Sequence, residues 1–185
     1  MIDIVLLGTL GSMPMPNRFL SSVLMRYKGR KILIDCGEGT QVAMRLLKWG
    51  FKSIDMILIS HGHGDHILGL PGLLSTMGNS ERREPVCIMG PKGIGNIIKG
   101  LLLAVPYLPY DVYLIEADET SIAVSLSDNG IEIDKVDDKY RFNKDLIIST
   151  LELDHSAPCI GYSFYLPRSP KFNVEKALSF GLPKN

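Results

Sequence analysis

Three of the four histidines in this 185-residue chain fall within six positions, in Ser60-His61-Gly62-His63-Gly64-Asp65-His66. Imidazole nitrogens and a carboxylate oxygen are the ligands that zinc and similar divalent ions prefer. Gly62 and Gly64 allow the tight, irregular backbone that turns several side chains toward one point. One such histidine alone would read as part of a solvated turn; four ligand-type side chains this close together read as a metal centre. His61 and His63 can hold one ion while Asp65 and His66 hold a second. Two ions at about 3.5–4 Å can share a hydroxide and stabilise the oxygens of an in-line displacement at phosphorus. A carboxylate beside that water can take its proton, which makes Asp65 the candidate general base. Zinc suits these ligands, and so do manganese and iron.

Elements must hold this cluster in place. Asp55–Ser60 is a continuous apolar run, as expected of a strand buried on both faces, and the cluster follows directly. The end of a buried strand is where α/β proteins place their sites. Upstream, Val5–Leu7, Val23–Tyr27 and Lys31–Ile34 read as strands, the last two joined in a hairpin through Lys28-Gly29-Arg30. Thr40–Trp49 and Leu68–Met77 read as helices. Val86–Met89 reads as a strand, and Gly90-Pro91 opens a helix running to about Ala104. Beyond it the pattern changes to short strands at Val112–Ile115, Ile122–Leu126, Ile131–Val136, Leu146–Leu153 and Ile160–Leu166, then a short helix over Asn173–Phe180 with Asn173 as its cap. This order predicts α/β layers on a mixed sheet.

The composition, 45% hydrophobic and 22% charged, is that of an ordinary globular core and excludes a disordered chain or a basic tail. No apolar run approaches the roughly 20 residues of a membrane span, so no membrane association is expected. The start of the chain has neither a basic flank nor a small-residue cleavage site. Cys36, Cys87 and Cys159 form no CxxC pair and read as reduced thiols, which points to the cytoplasm. The zero net charge hides a split: residues 111–154 carry 12 acidic and 4 basic groups, offset by the basic remainder. Charge therefore permits a polyanionic partner, although the acidic block reads first as solvated hairpins.

The HxHxDH pattern after an apolar strand resembles the signature of the metallo-β-lactamase superfamily. Gly8-Thr9-Leu10-Gly11, Asp35-Cys36-Gly37-Glu38-Gly39-Thr40-Gln41, the Gly-Leu-Pro-Gly-Leu-Leu run from Gly69 and Gly90-Pro91-Lys92-Gly93-Ile94 narrow the resemblance to the ribonuclease Z family. It extends in order over essentially the whole chain. It implies an αββα sandwich and a zinc endoribonuclease that removes the 3′ trailer from precursor tRNA. His155, shortly before Gly161-Tyr162, matches a later histidine ligand of the family and is carried over. The implied metal set is thus His61, His63, Asp65, His66 and His155, with up to two Zn2+ per complete site. Asp35 could cap a helix or orient a ligating histidine, and the superfamily favours the second role. Arg18 matches an arginine near the RNA, but Phe19 stands where the family usually has Asn. Gly90-Pro91-Lys92-Gly93 could hold a phosphate but reads first as a plain helix entry.

The family pattern also has a bridging aspartate and a last histidine that this sequence lacks. Residues 1–166 therefore read as the N-terminal part of the domain, an αββα sandwich whose C-terminal half is incomplete. Residues 167–185 read as the start of a truncated tRNA-binding arm. Such a half should expose the inner face of its sheet and either form a homo-oligomer or pair with a separate C-terminal half. Activity of the chain alone is then in question. The alternatives are another hydrolase of the superfamily, acting on a thioester, lactam or sulfate ester, and a catalytically dead metal-binding module.

Overall fold

The computed structural model describes residues 1–117, 121–127, 130–135, 144–168 and 173–181. Strands β1 (Ile2–Gly8), β2 (Ser22–Tyr27), β3 (Arg30–Ile34), β4 (Ile54–Leu58), β5 (Val86–Gly90) and β6 (Val112–Glu116) form one sheet in sequence order. The first three pair antiparallel; β3, β4, β5 and β6 run parallel. Lys28 and Gly29 have φ of 49° and 77°, the two left-handed residues that a tight hairpin turn needs between β2 and β3. Parallel neighbours require crossovers, and α1 (Thr40–Leu47), α2 (Gly64–Ile67) with α3 (Leu70–Asn79), and α4 (Ile94–Leu102) supply them.

The alternation of side chains along the strands sorts the core into two layers. Leu24, Leu33, Ile57 and Ile88 face Met44 of α1, Leu70, Leu73 and Met77 of α3, and Ile98 of α4. Met25, Ile32, Met56, Leu58 and Met89 face the other way, onto Ile122, Val124, Leu146, Ile148 and Ile160. These belong to a second sheet of β7 (Ser121–Ser127), β8 (Gly130–Lys135), β9 (Leu146–Leu153) and β10 (Cys159–Tyr165), in the order β10-β9-β7-β8. The layers are thus helices, sheet, sheet, and α5 (Val174–Ser179) follows the second sheet, its first turn capped by Asn173 accepting from Lys176 N–H at 2.9 Å.

Most expected elements appear with ends shifted by a residue or two, and β4 is buried at every position, as its apolar run predicts. Three expectations change. The helix from Thr40 stops at Leu47 because Lys48 turns left-handed, leaving Trp49 outside it. The helix expected over Leu68–Met77 breaks between Leu68 and Leu70, where a Cβ on Gly69 would lie 2.3 Å from the Gly37 carbonyl oxygen. The inner face of the first sheet is also not bare over its centre: Met56, Leu58 and Met89 have no solvent exposure, because the acidic stretch contributes a covering sheet. Glu132 and Asp134 alternate outward along β8, so the solvated-hairpin reading of that stretch holds there. Val136, residues 169–172 and residues 182–185, where the end of the expected strand Ile131–Val136 and parts of the expected arm fall, lie outside the described residues.

The amino end of β4 is fixed by a buried ion cluster. Asp55 accepts from Arg30 and from Arg82 at 3.0 Å, and Arg82 also donates to the carbonyls of Lys52, Glu84 and Pro85. A fully buried guanidinium persists only when its donors are satisfied in this way.

Candidate metal centre

The carboxyl end of β4 is held from three sides. Asp35 N–H donates to Leu58 O at 2.8 Å, and Ile59 N–H donates to Met89 O at 2.7 Å, which aligns it with the ends of β3 and β5. From the second sheet, Ile160 N–H donates to Ser60 O at 2.9 Å, and His61 forms a β-bridge with Cys159. The Tyr162 hydroxyl lies 2.8 Å from Ile59 O and 3.1 Å from Met89 O, so one donor spans both. The loop then returns through α2, where Cys36 N–H donates to His66 O at 2.7 Å. The histidine-rich segment is therefore strapped to both sheets before any ion is considered.

Hydrogen bonds fix which ring nitrogens remain free. Asp35 stands at φ 56°, its Oδ1 accepting from Ser60 N–H at 2.8 Å and its Oδ2 lying 2.7 Å from His66 Nδ1. An ionised carboxylate only accepts, so His66 Nδ1 carries the proton and its Nε2 is left as a ligand atom. Ser60 Oγ–H also donates to Asp35 Oδ2 at 2.9 Å; having given its proton there, Oγ accepts from His61 Nδ1 at 2.9 Å. His61 Nε2 is freed by the same logic. Of the two roles open to Asp35, orientation of a histidine is the one its contacts show; α1 begins after Gly39, without its help.

The distant His155, carried on the turn between β9 and β10, meets the cluster. One ligand atom each from His61, His63 and His155 lie within 4.8 Å of one another, and His155 Nε2 is 3.3 Å from His63 Nδ1. Nitrogens bound tetrahedrally at about 2.0–2.1 Å to zinc sit roughly 3.3–3.4 Å apart, so this pair already has the spacing of one tetrahedral edge. Asp65 and His66 form an adjoining pair, with Oδ2 and Nε2 3.8 Å apart. The five residues singled out from the sequence thus come together as a group of three beside a group of two. The three imidazoles fit a divalent ion, and the pair offers a further carboxylate and imidazole.

Electrostatics agree with a ligating role for His61 and Asp65. Burial, followed by the neighbouring His66, His63 and His155, lowers the His61 pKa and keeps its ring neutral, the form that binds metal. A hydrogen bond from Ser12 N–H at 2.9 Å lowers the Asp65 pKa, so its carboxylate stays ionised. The Asp35 hydrogen bond raises that of His66 against the effect of burial.

Other sequence candidates fall outside this constellation. Gly93 N–H and Gly95 N–H both donate to the Glu116 carboxylate at 3.0 Å, so the start of α4 is closed by a side chain of the protein itself. The phosphate reading of Gly90-Pro91-Lys92-Gly93 gives way to the plain helix entry. Arg18 is exposed in a loop whose backbone bonds back to Met15 at 2.9 and 3.0 Å. Ser12, Ser60 and Tyr162 support the site although the sequence alone assigns them no role. Ser60 had a signal in its position just before His61, whereas Ser12 and Tyr162 act through contacts that only the folded chain reveals.

Comparison with known proteins sets this geometry in context. Residues 2–102 match the family model described as Anti-Pycsar protein Apyc1. Over 184 residues, the whole of this chain, the sequence is 55% identical to ribonuclease Z of Alkaliphilus oremlandii and 58% identical to that of Clostridium perfringens, covering 57% of each. The chain thus spans just over half the length of these curated relatives. Human tRNase Z, short form, superposes with a TM-score of 0.67 over 90% of this chain and 65% of that one, at 28% identity. The Bacillus subtilis metallo-β-lactamase fold protein YhfI, at 16% identity and a TM-score of 0.64, shares the fold.

Proposed function

Since the chain belongs to the family described as Anti-Pycsar protein Apyc1 and is ribonuclease Z-like along its whole length, we propose that it forms the metal-binding part of a zinc-dependent endoribonuclease that removes the 3′ trailer from precursor tRNA. The observation that carries this reading is the convergence of His155 on His63 at 3.3 Å, which gathers an otherwise remote histidine into a metal-spaced group. The substrate class comes from the ribonuclease Z relatives and from the tRNase Z structure.

On this reading His61, His63 and His155 hold one ion, and Asp65 with His66 contribute to a second. A bound divalent ion would supply Lewis acidity toward the phosphodiester and a water acidic enough to ionise near neutral pH. Asp65, kept ionised by Ser12, is the group that accepts the proton of the attacking water. Asp35 and Ser60 hold His66 and His61 in the tautomers that leave each Nε2 free. The reaction consumes one water and leaves a hydroxyl on one fragment and a phosphate on the other. Residues 1–166 form the core of this unit, and residues 167–185, including α5, begin an arm that contacts tRNA. A further carboxylate and histidine would come from a separate C-terminal half, since all four histidines of the chain are already assigned here; a homo-oligomer, the other partner expected, would cover apolar surface rather than complete the site. Among the described residues no helix is long and apolar enough to cross a membrane, and the substrate places the work in the cytoplasm.

The test is cleavage of a 3′-extended precursor tRNA by the purified chain with added zinc, with Asp65→Ala alongside. Cleavage at the end of the acceptor stem, reduced at least about a hundredfold in the variant, is expected. Cleavage that persists undiminished in Asp65→Ala would remove the assigned base, and hydrolysis of small esters but not tRNA would favour another hydrolase of the superfamily.

A further inference from the structure

Beside the histidines, a cavity of about 530 Å³ opens between the carboxyl ends of β5 and β6 and the β9–β10 hairpin. That is within the roughly 300–1,000 Å³ typical of small-molecule sites. Its lining is mixed: Pro91, Ala117, Pro158 and Ile160 supply the apolar part, and two side chains of opposite charge, Lys92 and Glu152, line it as well. Ala117 and Ile160 also belong to the core between the sheets, so the cavity is the open end of that core.

Strand register places the cavity against the metal centre. Glu152 pairs with Ile160 across β9 and β10, and it shares the inward-facing parity of Leu146 and Ile148. Cys159, which also lines the cavity, bridges to His61. His155 lies three residues beyond Glu152 on the same hairpin. Whatever occupies this space therefore sits next to a group held at the three imidazoles.

The chemistry of the walls selects the occupant. A simple anion would meet Glu152 as well as Lys92 and gain little. The backbone donors at the start of α4 are already taken by Glu116, which is close enough to Lys92 to feel its charge. A ligand that suits the cavity has a flat apolar body for the proline walls, an anionic group for the ammonium and hydroxyl donors for the carboxylate. A ribonucleotide has all three. We propose that this cavity is a ribonucleotide subsite in which Glu152 accepts a hydrogen bond from the ribose 2′-hydroxyl and Lys92 engages the adjoining phosphate. The subsite rests on the phosphodiesterase reading given above, in which it holds the nucleotide beside the scissile bond. Glu152 then discriminates ribose from deoxyribose, because the deoxy sugar leaves the carboxylate short of a donor.

Titration of the metal-free chain with AMP and with 2′-deoxy-AMP tests this, and both Lys92 and Glu152 are exposed enough to be replaced without unfolding. AMP is expected to saturate, with 2′-deoxy-AMP about tenfold weaker. Glu152→Ala should bring AMP down to the deoxy level and leave 2′-deoxy-AMP unchanged. Lys92→Ala should weaken both nucleotides about tenfold and leave adenosine unaffected. Equal binding of the two nucleotides by the unaltered chain overturns the proposal, as does an equal loss of both in Glu152→Ala or the absence of saturation. His63→Ala keeps this separate from the cleavage reaction: it should abolish tRNA cleavage and change AMP binding less than about twofold. A chain that shows the AMP pattern and still fails to cleave tRNA when a relative's C-terminal half is supplied retains the subsite and loses the endoribonuclease reading; cleavage without the AMP pattern does the reverse.

Discussion

Two side chains separate what holds the centre from what merely surrounds it. Asp35 contacts no candidate ligand atom directly, yet it fixes the ring of His66 and, through Ser60, that of His61. In Asp35→Asn the amide oxygen still accepts from Ser60 N–H, and Asn tolerates the left-handed backbone at this position. The charge and one acceptor at His66 are lost. Zinc affinity, read by competition with a chromophoric chelator, should fall about 10–100-fold while the melting temperature without metal changes little. An unchanged affinity would show that Asp35 is not a positioning residue. Lys31 makes a different point. Burial lowers its pKa to about 8; Asp55 opposes the shift, and Arg26 and Arg30 reinforce it. Below pH 8 the ammonium is charged in both folded and unfolded chains, and its full desolvation penalty is felt. Between about 8 and its ordinary 10.5 the folded chain sheds the proton while the unfolded chain keeps it, so stability rises through that window. Lys31→Met, which removes the charge together with its 2.5 Å bond to Ser53 Oγ, should stabilise the chain at pH 7 and lose most of that gain by pH 10. Urea denaturation at the two pH values measures this, and equal gains at both would refute it.

At the level of elements, the junction between α2 and α3 does the most to aim the cluster. Gly69 N–H donates to Cys36 O at 2.9 Å, and a Cβ there would meet the Gly37 carbonyl oxygen at 2.3 Å, a backbone atom with no easy retreat. Gly69→Ala should push α2 away from the loop after β3, cost about 1–3 kcal/mol in thermal stability and weaken zinc binding by moving His66. If stability falls and zinc binding does not, α2 is less tightly coupled to the site than its hydrogen bonds suggest. This junction also marks how far the sequence was readable. A strand buried on both faces was legible in Asp55–Ser60 because parallel central strands are apolar throughout, and the ligand group His61 to His66 was legible because it is local. The break at Gly69 was not, since it arises from contact with Gly37, over thirty residues away in the chain. His155 entered only through a family resemblance, because its nearness to His63 depends on how β9 and β10 register over the end of β4. The cover over Met56 and Leu58 is likewise not legible in the sequence. Short alternating strands reveal which of their faces is apolar and do not reveal which sheet they lie on.

For the whole molecule the question is which apolar surface remains when both sheets are in place. The second sheet covers the centre of the first and stops short of β1, where Ile4 and Leu6 are each 65% exposed on a strand that, among the described residues, pairs only with β2. An edge strand with unpaired backbone groups and an apolar face is a template for another strand. On the outer side of the second sheet, Leu151 and Leu153 alternate outward along β9 and are 62% and 44% exposed. In a solution of the purified chain, a second copy is the available cover for either surface. Sedimentation velocity should therefore show mass increasing with concentration in the micromolar range and above. Two pairs of substitutions assign the contact. Ile4→Lys with Leu6→Lys places charges on the β1 edge, and Leu151→Glu with Leu153→Glu does the same on the outer sheet. None of the four side chains is buried, so the fold should survive, with far-UV circular dichroism as the control. Loss of association in the first pair alone would identify strand addition at β1, and loss in the second alone would identify face-to-face packing. The first outcome is favoured, because β1 offers main-chain hydrogen bonds as well as apolar area. A monodisperse monomer at every concentration would overturn the self-association expected from these two surfaces.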